Sequence, residues 1–545
     1  MTPAEQLTDA MKFLTLTLER QARDVLAFIQ EPAGPIDGLI LRRDRIDGLK
    51  VQVENDCYAA LLHPEGHSKK TVGRLRAMQM ACHSLERLNQ LLVEMTRKVA
   101  AEKGENTLSH IDVTMGFEKL ISSLSLFPEA LKERSMDGAM ALCKAGPEMN
   151  ALYAEAFKEV VAKLSSGDGF SHGAPSALGL LHALERVGSE LLHLGEAVLF
   201  AVLGERIRIH HFEALQKTLK ESGVSASVAD IQYQAILGNR SGCRVGVVEV
   251  SPDAEAIRGS IYKEGPKEKI AKEVASIKRW QSLFPGLVPS VYSTSEKGDH
   301  GTMLVEYLPG VTLDRVLVSA DDSVFSMALA TLTQTLESLW SKTLAKGGVK
   351  TDYMGQIRSR LNDVTAVHDH GLRPEVEVCG AMAPSMLDLM ASGETLEGDL
   401  APPFSIWIHG DFNINNLVYN PDRSSLHYID LHRSKEADFL QDASVCLVSC
   451  FRMPLFERRV VSRINGAVKH LYGFSKRFAS EHGDAFFEAR MALALARSFF
   501  TSTRFELNKE FSMTMRNRAI FLLEKVASHG GRLDEFRLPE EVLYR

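Results

Sequence analysis

The stretch that decides the fold is His409-Gly410-Asp411-Phe412-Asn413-Ile414-Asn415-Asn416-Leu417, with Ile429-Asp430-Leu431 a short way downstream. A short apolar run, 406–408, comes before it. Two more runs, 417–419 and 426–429, follow it and are joined by the turn sequence Asn420-Pro421-Asp422-Arg423. This pattern predicts a strand, a loop and a hairpin. The hairpin is expected to bring Asp430 back to the loop.

The residue types in this loop suit phosphoryl transfer. The transition-state charge of that reaction lies on the phosphoryl oxygens, so the protein mainly positions groups and neutralises charge. Asp411 is the candidate base for an acceptor hydroxyl, and His409 is expected to brace the loop. Asn416 and Asp430 offer an amide and a carboxylate oxygen, which suit Mg²⁺. The alternative, that these are ordinary surface turn residues, is disfavoured because all four residue types occur together with predicted strands on both sides.

The loop is similar to the H-G-D-x-x-x-x-N and I-D motifs of the aminoglycoside phosphotransferase and choline kinase family, which has a bilobal protein-kinase-like fold. The stretch 438–443 resembles the family's D-P-x-x-D-L-A motif, in which the second acid, here Asp442, supports the catalytic loop. It departs from that motif at Phe439, Ala443 and Ser444. The resemblance implies ATP and Mg²⁺ as cofactors and a hydroxyl group as phosphate acceptor.

The same resemblance implies an upstream lobe that binds the nucleotide. Lys263 ends a strand-like run and would bridge the α and β phosphates. Glu273 opens a helical stretch, 273–280, and would hold that lysine by an ion pair, with Glu268 as the alternative partner. The backbone near Glu306 and Leu308 would meet the adenine edge.

A glycine turn in this lobe is a further candidate. Gly238 and Gly242 lie between two predicted strands, 231–236 and 245–250, and the backbone amides there could cover the phosphates. A simple tight turn explains two glycines equally well.

Composition bounds the remaining functions. A chain of 545 residues that is 45% hydrophobic can bury more than one core, and its net charge of -7 gives no footprint for nucleic acid. Its seven cysteines lack paired C-x-x-C motifs, so free thiols and a cytoplasmic location are expected. The N-terminus has neither the basic start nor the apolar core of a signal peptide. No apolar run reaches the roughly 18 residues of a membrane span.

The region before residue 220 is helical in pattern. Apolar residues at helical spacing follow two faces, one made of Leu75, Met78, Cys82, Leu85, Leu92 and Val99, the other of Leu181, Leu184, Gly188, Leu191, Gly195, Val198 and Val202. The sequences at 85–88 and 184–187 are similar and lie about a hundred residues apart, which indicates a duplication into two three-helix repeats. The two glycines on the second face predict a close helix contact.

This half resembles the PhoU family of phosphate-uptake regulators over roughly residues 8–215. Those proteins carry E-R-x-G-D in each repeat, and the acids bind metal clusters. Here Gln90 and Ser189 replace the two aspartates, while Glu86, Glu185 and Glu196 remain. Metal binding is therefore not expected, and the bundle is interpreted as a docking or sensing module for a protein partner.

The predicted protein is multidomain. An all-α bundle at 1–220 precedes an α+β kinase-like domain with a small lobe at 228–318 and a helical large lobe at 319–545. The predicted function is an ATP- and Mg²⁺-dependent phosphotransferase that acts on a small-molecule hydroxyl. One alternative is a regulatory kinase-like protein with weak or no turnover.

A kinase acting on proteins is the second alternative. It is disfavoured because only seven residues, 431–437, separate Asp430 from Asp438, which leaves little room for a peptide-binding segment. The acceptor pocket and the oligomeric state are not predicted. Candidates for the pocket are His432, Arg433, Asp363, Asp369 and Glu375, although a solvated surface position is the favoured explanation for each.

Overall fold

The computed structural model describes residues 3–32, 36–62, 69–101, 112–166, 174–204, 208–221, 231–235, 243–250, 259–368, 372–378, 380–453, 455, 457–530 and 532–545. The chain divides into two compact units, residues 1–264 with 293–298, and residues 265–292 with 299–545. The predicted small lobe is shared between these units, and its predicted limits stay a prediction. Within the described ranges, no helix has both the length and the apolar character needed to cross a membrane.

The first unit opens with long helices. In its described residues these are α1 (Pro3–Gln30), α2 (Asp37–Leu62), α3 (Lys69–Ala101), α4 (Thr114–Glu133), α5 (Met136–Ser166), α6 (Ala174–Leu203) and the shorter α7 (Ile209–Glu221). Within each half the same pairs of helices pack together, since α1, α2 and α3 contact one another as α4, α5 and α6 do. The halves meet through α3 with α6 and α1 with α4. The prediction of two three-helix repeats is confirmed.

The glycines of α6 allow the close contact that their positions predict. A Cβ on Gly195 would lie 2.6 Å from both the backbone N and the Sγ of Cys143 on α5. A Cβ on Gly188 would lie 2.8 Å from the Cβ of Met149, also on α5. The two helix backbones therefore approach too closely for any larger residue, which explains why two residues of poor helix propensity lie on a buried face.

Strands follow the bundle within the same unit. They are β1 (Ile231–Ala235), β2 (Arg244–Val250), β3 (Ser260–Pro266), which enters the second unit at Gly265, and the part of β4 (Val291–Lys297) that begins at residue 293. β1 and β2 pair antiparallel with Ile231 opposite Val250, and β2 pairs with β3 with Val245 opposite Lys263. The predicted hairpin is thus present. Gly238 and Gly242, predicted to cover phosphates, lie outside the described residues.

The second unit is mostly helical. Its described helices are α8 (Lys267–Leu283), α9 (Leu313–Ser319), α10 (Asp322–Thr343), α11 (Tyr353–Val367), α12 (Met386–Asp399), α13 (Leu440–Phe451), α14 (Arg458–Glu481), α15 (Phe487–Ser502) and α16 (Lys509–Ala527). The strands are β5 (His300–Glu306), β6 (Val311–Thr312), β7 (Ala345–Lys346), β8 (Val376–Val378), β9 (Ala381–Ala383), β10 (Phe404–Ile408), β11 (Leu417–Asn420), β12 (Ser425–Tyr428) and β13 (Lys435–Ala437).

Small antiparallel sheets frame the predicted catalytic loop. β10 lies between β13 and β7, with Ile406 opposite Ala437. β11 lies between β12 and β6, with Leu417 opposite Tyr428. The loop therefore leaves one sheet and enters another, and the predicted strand, loop and hairpin are confirmed. The N-terminal helical bundle and the following region of small sheets and helices agree with the predicted fold class, an all-α bundle followed by an α+β domain.

One predicted boundary is wrong. Glu273 does not open its helix, because α8 begins six residues earlier, at Lys267, directly after Pro266. Lys267, Glu268 and Lys269 form a polar first turn that carries no apolar periodicity, so the sequence pattern hides the helix start. Ile270, Glu273, Ile277 and Trp280 then form the buried face of α8.

Candidate active site

The loop after β10 is held by a buried carboxylate. Asp442, in the first turn of α13, accepts the backbone N–H of His409 through Oδ2 at 2.7 Å and that of Gly410 through Oδ1 at 2.8 Å. Burial, partly offset by these two bonds, raises the pKa of Asp442 to about 7. Gly410 has φ of +83° and lies so close to Arg433 that a Cβ would meet its carbonyl oxygen at 2.1 Å. Only glycine fits there.

His409 ties the loop to the strand end that precedes Asp430. Its Nε2 lies 2.9 Å from the carbonyl oxygen of Ile429, and its Nδ1 accepts the backbone N–H of Asp411 at 3.2 Å. This pattern places the proton on Nε2. Burial lowers the pKa of His409, so its ring is held neutral. A neutral ring with both nitrogens occupied braces the loop, as its sequence position implies.

The side chain of Asn416 bonds to the backbone of Asp411 within the loop. The Nδ2 of Asn416 donates to the backbone oxygen of Asp411 at 2.9 Å. The amide oxygen of Asn416 takes no part in this bond. The backbone oxygen of Asn416 accepts the N–H of Ile429 at 3.0 Å, so Asn416 adjoins the residue before Asp430. The carboxylate of Asp411 is engaged by Asn413 at Oδ1 and by Arg433 at Oδ2, the latter at 3.0 Å.

A group of three side chains with possible metal-ligand atoms lies at Asp430. One ligand atom from each of Glu273, Asp430 and His432 lies within 4.8 Å of the other two. His432 Nδ1 is 3.1 Å from Asp430 Oδ1. Asp430 has φ of +64°, a left-handed conformation that is uncommon for residues other than glycine. The structure thus brings the predicted helix glutamate to the predicted metal carboxylate.

α8 is fixed to the loop by aromatic packing. The ring of Trp280 lies 5.7 Å from that of Tyr428, which in turn lies 5.6 Å from the ring of His409. Trp280 Nε1 also donates to Ser434 Oγ at 2.9 Å, and Ser434 Oγ donates to the backbone oxygen of His409 at 3.2 Å. Through these contacts the helix that carries Glu273 is attached to the backbone of the loop at 409–416.

The other residues predicted to bind the nucleotide are described within their own units. Lys263 is a buried residue of β3 in the first unit, so its predicted pairing with Glu273 stays a prediction. In the second unit, Glu306 ends β5, and its backbone N–H and side chain bond to the backbone of Ser290 at 2.9 and 3.0 Å. Leu308 follows in the stretch without regular structure after β5. Their contact with adenine also stays a prediction.

Several contacts made by charged side chains in this unit were not predicted from the sequence. Arg433 and His432 were candidates for an acceptor pocket, yet Arg433 pairs with the predicted base and His432 with the predicted metal ligand. Arg490 pairs with Asp438 at 2.6 Å and with Asp484 at 2.5 Å in the buried core. No local pattern signals an ion pair between side chains 52 residues apart. Asp369 lies outside the described residues.

The oxygens present fit a divalent cation. Asn416 and Asp430 supply uncharged and charged oxygen donors, and Glu273 and His432 add a carboxylate and an imidazole beside Asp430. Hard cations such as Mg²⁺ take oxygen ligands of this kind, together with phosphate and water.

The three glutamates that remain in the helical bundle each have a protein partner. Glu86 pairs with Lys50 at 3.1 Å, and Glu185 lies 3.5 Å from His182. Glu196 accepts the backbone N–H of Ile209 at 3.2 Å.

Comparison with known proteins finds two kinds of similarity, and no family model matches the chain. The phosphate-specific transport system accessory protein PhoU homolog of Clostridium acetobutylicum is 20% identical over 212 residues, which cover 38% of this chain and 95% of that protein. PhoU from Pseudomonas aeruginosa, a solved structure, is 15% identical with a TM-score of 0.33, covering 37% of this chain and 98% of its own. These similarities fall on the N-terminal region.

The C-terminal region is similar to two other solved structures. An aminoglycoside-3'-phosphotransferase of type VIII is 17% identical with a TM-score of 0.33, covering 49% of this chain and 92% of its own. An ethanolamine kinase from Plasmodium vivax is 11% identical with a TM-score of 0.33, covering 54% of this chain and 83% of its own.

Proposed function

We propose that the chain is a phosphotransferase that moves the γ-phosphoryl group of ATP to a hydroxyl group of a small molecule. The observation that carries the proposal is the bonded loop in which Asp411, Asn416 and Asp430 are fixed by His409 and Asp442. A loop held by several hydrogen bonds, in which the Asn416 side chain donates to the backbone oxygen of Asp411, suits a reaction whose catalysis is mostly positioning.

In this reaction the acceptor oxygen attacks the γ-phosphorus, the bond from that phosphorus to the β–γ bridging oxygen breaks, and ADP leaves with the electron pair. Asp411 takes the proton of the acceptor hydroxyl. Asn416 and Asp430 would hold Mg²⁺, which neutralises charge on the phosphates when bound. Lys263 is assigned to the phosphates on the sequence resemblance alone. His409 and Asp442 keep the loop in place and do not react.

The short connection from Asp430 to Asp438 favours a small acceptor over a peptide. Within it, Ser434 bonds to His409, and residues 435–437 form β13 against β10. A chain tied down at both points offers no extended platform beside Asp411. For the bundle we propose docking or sensing in a context linked to phosphate, because its repeats match the PhoU homolog over most of that relative's length.

The first test compares two substitutions at the site. Asp411→Ala should lower transfer by about 10²- to 10⁴-fold and leave nucleotide affinity within a few-fold, because the base is needed for transfer and not for binding. Asp430→Ala should weaken binding of the Mg²⁺ nucleotide as well. Transfer would be measured as ATP consumption stimulated by metabolite pools, and affinity by calorimetry.

The matched control is Asp422→Ala, since Asp422 lies on the exposed turn between β11 and β12. It should behave like the parent protein. Parental transfer rates in both site variants would refute the assigned roles. A complete lack of stimulation by any pool at high protein concentration would instead favour the regulatory kinase-like alternative.

A further inference from the structure

His432 is a possible metal ligand to which the proposed reaction gives no role. One ligand atom of His432, one of Asp430 and one of Glu273 all lie within 4.8 Å of one another. These three side chains are called the Asp430 cluster below. Glu273 belongs to α8, while Asp430 and His432 lie two residues apart between β12 and β13. The cluster therefore joins a helix to the segment that follows the β11–β12 hairpin.

The contact between His432 and Asp430 has the spacing of two ligands on one ion. Nδ1 of His432 lies 3.1 Å from Oδ1 of Asp430. A neutral imidazole that carries its proton on Nε2 presents only a lone pair at Nδ1, as a carboxylate oxygen does. Two such atoms attract each other only when a proton or a cation lies between them. Neighbouring ligands of an octahedral ion with bonds of about 2.1 Å are about 3 Å apart, so a cation can take the place of the proton.

The Asp430 cluster is sheltered and still reachable from solvent. Glu273 is 2% exposed, whereas the side chains of Asp430 and His432 are 17% and 11% exposed. Carboxylates in such surroundings are stabilised by pairing or by a metal ion, because burial makes an isolated charge costly. The predicted ion pair of Glu273 with Lys263 is compatible with a metal, since one carboxylate oxygen can bind the ion while the other accepts an N–H bond.

The parts of the chain that carry the cluster are held in place by hydrogen bonds. Trp280 of α8 donates to Ser434, which donates to the backbone oxygen of His409. Arg433, next to His432 in the chain, pairs with Asp411 at 3.0 Å. Ligands on segments that are already fixed bind an ion with little further loss of conformational freedom.

We propose that Glu273, Asp430 and His432 bind a divalent transition-metal ion such as Mn²⁺, with Nδ1 of His432 as a nitrogen ligand, in the absence of nucleotide. Imidazole suits transition-metal ions, whereas Mg²⁺ takes oxygen ligands. Because Asp430 is also the predicted Mg²⁺ ligand, His432 decides which ion is preferred there. A role of this ion in phosphoryl transfer rests on the proposed function, but its binding does not.

The test measures Mn²⁺ and Mg²⁺ binding to the full chain without nucleotide by calorimetry, and records the electron spin echo of the bound Mn²⁺. The parent chain should bind Mn²⁺ about tenfold or more tightly than Mg²⁺. The echo should be modulated by a coordinated imidazole nitrogen. Glu273→Gln should weaken the binding of both ions, because it removes a charged oxygen ligand.

His432→Asn changes the nitrogen ligand to oxygen. Its amide oxygen can lie near the position of Nδ1, so the variant should still bind a cation but lose the nitrogen modulation and most of the preference for Mn²⁺. His427→Asn is the matched control, since His427 lies on β12 of the same hairpin and its Nδ1 is 2.8 Å from the carbonyl oxygen of Gly286. It should leave affinity, preference and modulation as in the parent.

Loss of the modulation and of the preference in His432→Asn alone supports the inference. A parent chain without saturable Mn²⁺ binding, without nitrogen modulation or without a preference for Mn²⁺ overturns it. Modulation that survives in His432→Asn, or equal losses in both histidine variants, overturns it as well.

The two proposals fail separately, because these measurements need no turnover. Mn²⁺ bound through the imidazole in a chain that transfers no phosphate would reject the proposed function and leave the metal site standing. Phosphate transfer with Mg²⁺ by a chain that shows no nitrogen modulation with Mn²⁺ would reject the metal site and leave the proposed function standing.

Discussion

At the scale of single residues, the loop is held by the carboxylate of Asp442, which lies in the protein interior, where a charged form is disfavoured. Asp442 is buried and accepts two backbone N–H groups from the loop, those of His409 and Gly410. Its folded-state pKa is raised to about 7, against an ordinary value of 3.8. The unfolded chain therefore loses this proton at lower pH than the folded chain does. The resulting contribution to stability is complete below about pH 4 and is lost as the pH rises through 7.

Asp442→Asn should reveal this titration. Asparagine resembles the protonated acid and does not titrate, so the difference in unfolding free energy, parent minus variant, should fall between pH 5 and 6.5. The expected slope is about 1 kcal/mol per pH unit. Urea unfolding of both proteins across this range measures it. A difference that stays constant, or grows as the pH rises, would show that Asp442 is already ionised in the folded protein.

Local sequence predicted the arrangement of the loop where spacing determines geometry. His409, Asp411 and Asn416 lie within one short loop, and the turn at 420–423 fixes how Asp430 returns, so pattern alone was enough. The ion pair between Arg433 and Asp411 was missed although both residues were candidates. It depends on the tight backbone at Gly410, where the loop passes against Arg433, and that proximity arises only after folding.

At the scale of elements, the attachment of α8 to the loop at 409–416 is the least predictable feature. The amphipathic face of the helix indicates that it packs, but not which element it packs on. In the structure, Trp280 donates a hydrogen bond to Ser434, which is 154 residues away in sequence. Ser434 in turn donates to the backbone oxygen of His409. Such a contact links the position of Glu273 to the loop that carries Asp411.

A double-mutant cycle tests this link. Trp280→Phe removes the indole N–H and keeps most of the ring packing, while Ser434→Ala removes the hydroxyl that joins the two elements. Each change should cost about 1 kcal/mol of unfolding free energy, and the double variant should cost less than the sum, because both act on one chain of bonds. Urea unfolding gives the energies. Strictly additive costs would mean that the two side chains act independently.

At the scale of the whole molecule, the bundle and the strand that carries Lys263 belong to one compact unit. α7 makes the connection. Its His211 lies 2.6 Å from Glu264 on β3, in the buried interior, and Tyr262 donates to the same carboxylate at 3.4 Å. Nearer the end of α7, the backbone oxygen of Thr218 accepts from Ser293 on β4 at 2.9 Å. A change within the bundle can therefore reach the residue next to Lys263 through a single helix.

His211→Ala should weaken nucleotide binding by about tenfold, because it leaves a buried carboxylate without its imidazole partner directly beside the proposed phosphate-binding lysine. Calorimetric titration with the nucleotide measures the change. Lys297→Ala is the matched control, since it breaks an exposed ion pair between β4 and Glu213 on α7, and such pairs contribute little. It should leave the affinity within about twofold. Equal affinities in both variants and the parent would show that the contact between α7 and β3 does not influence nucleotide binding. Any effect of the bundle on the nucleotide would then have to be transmitted by another element.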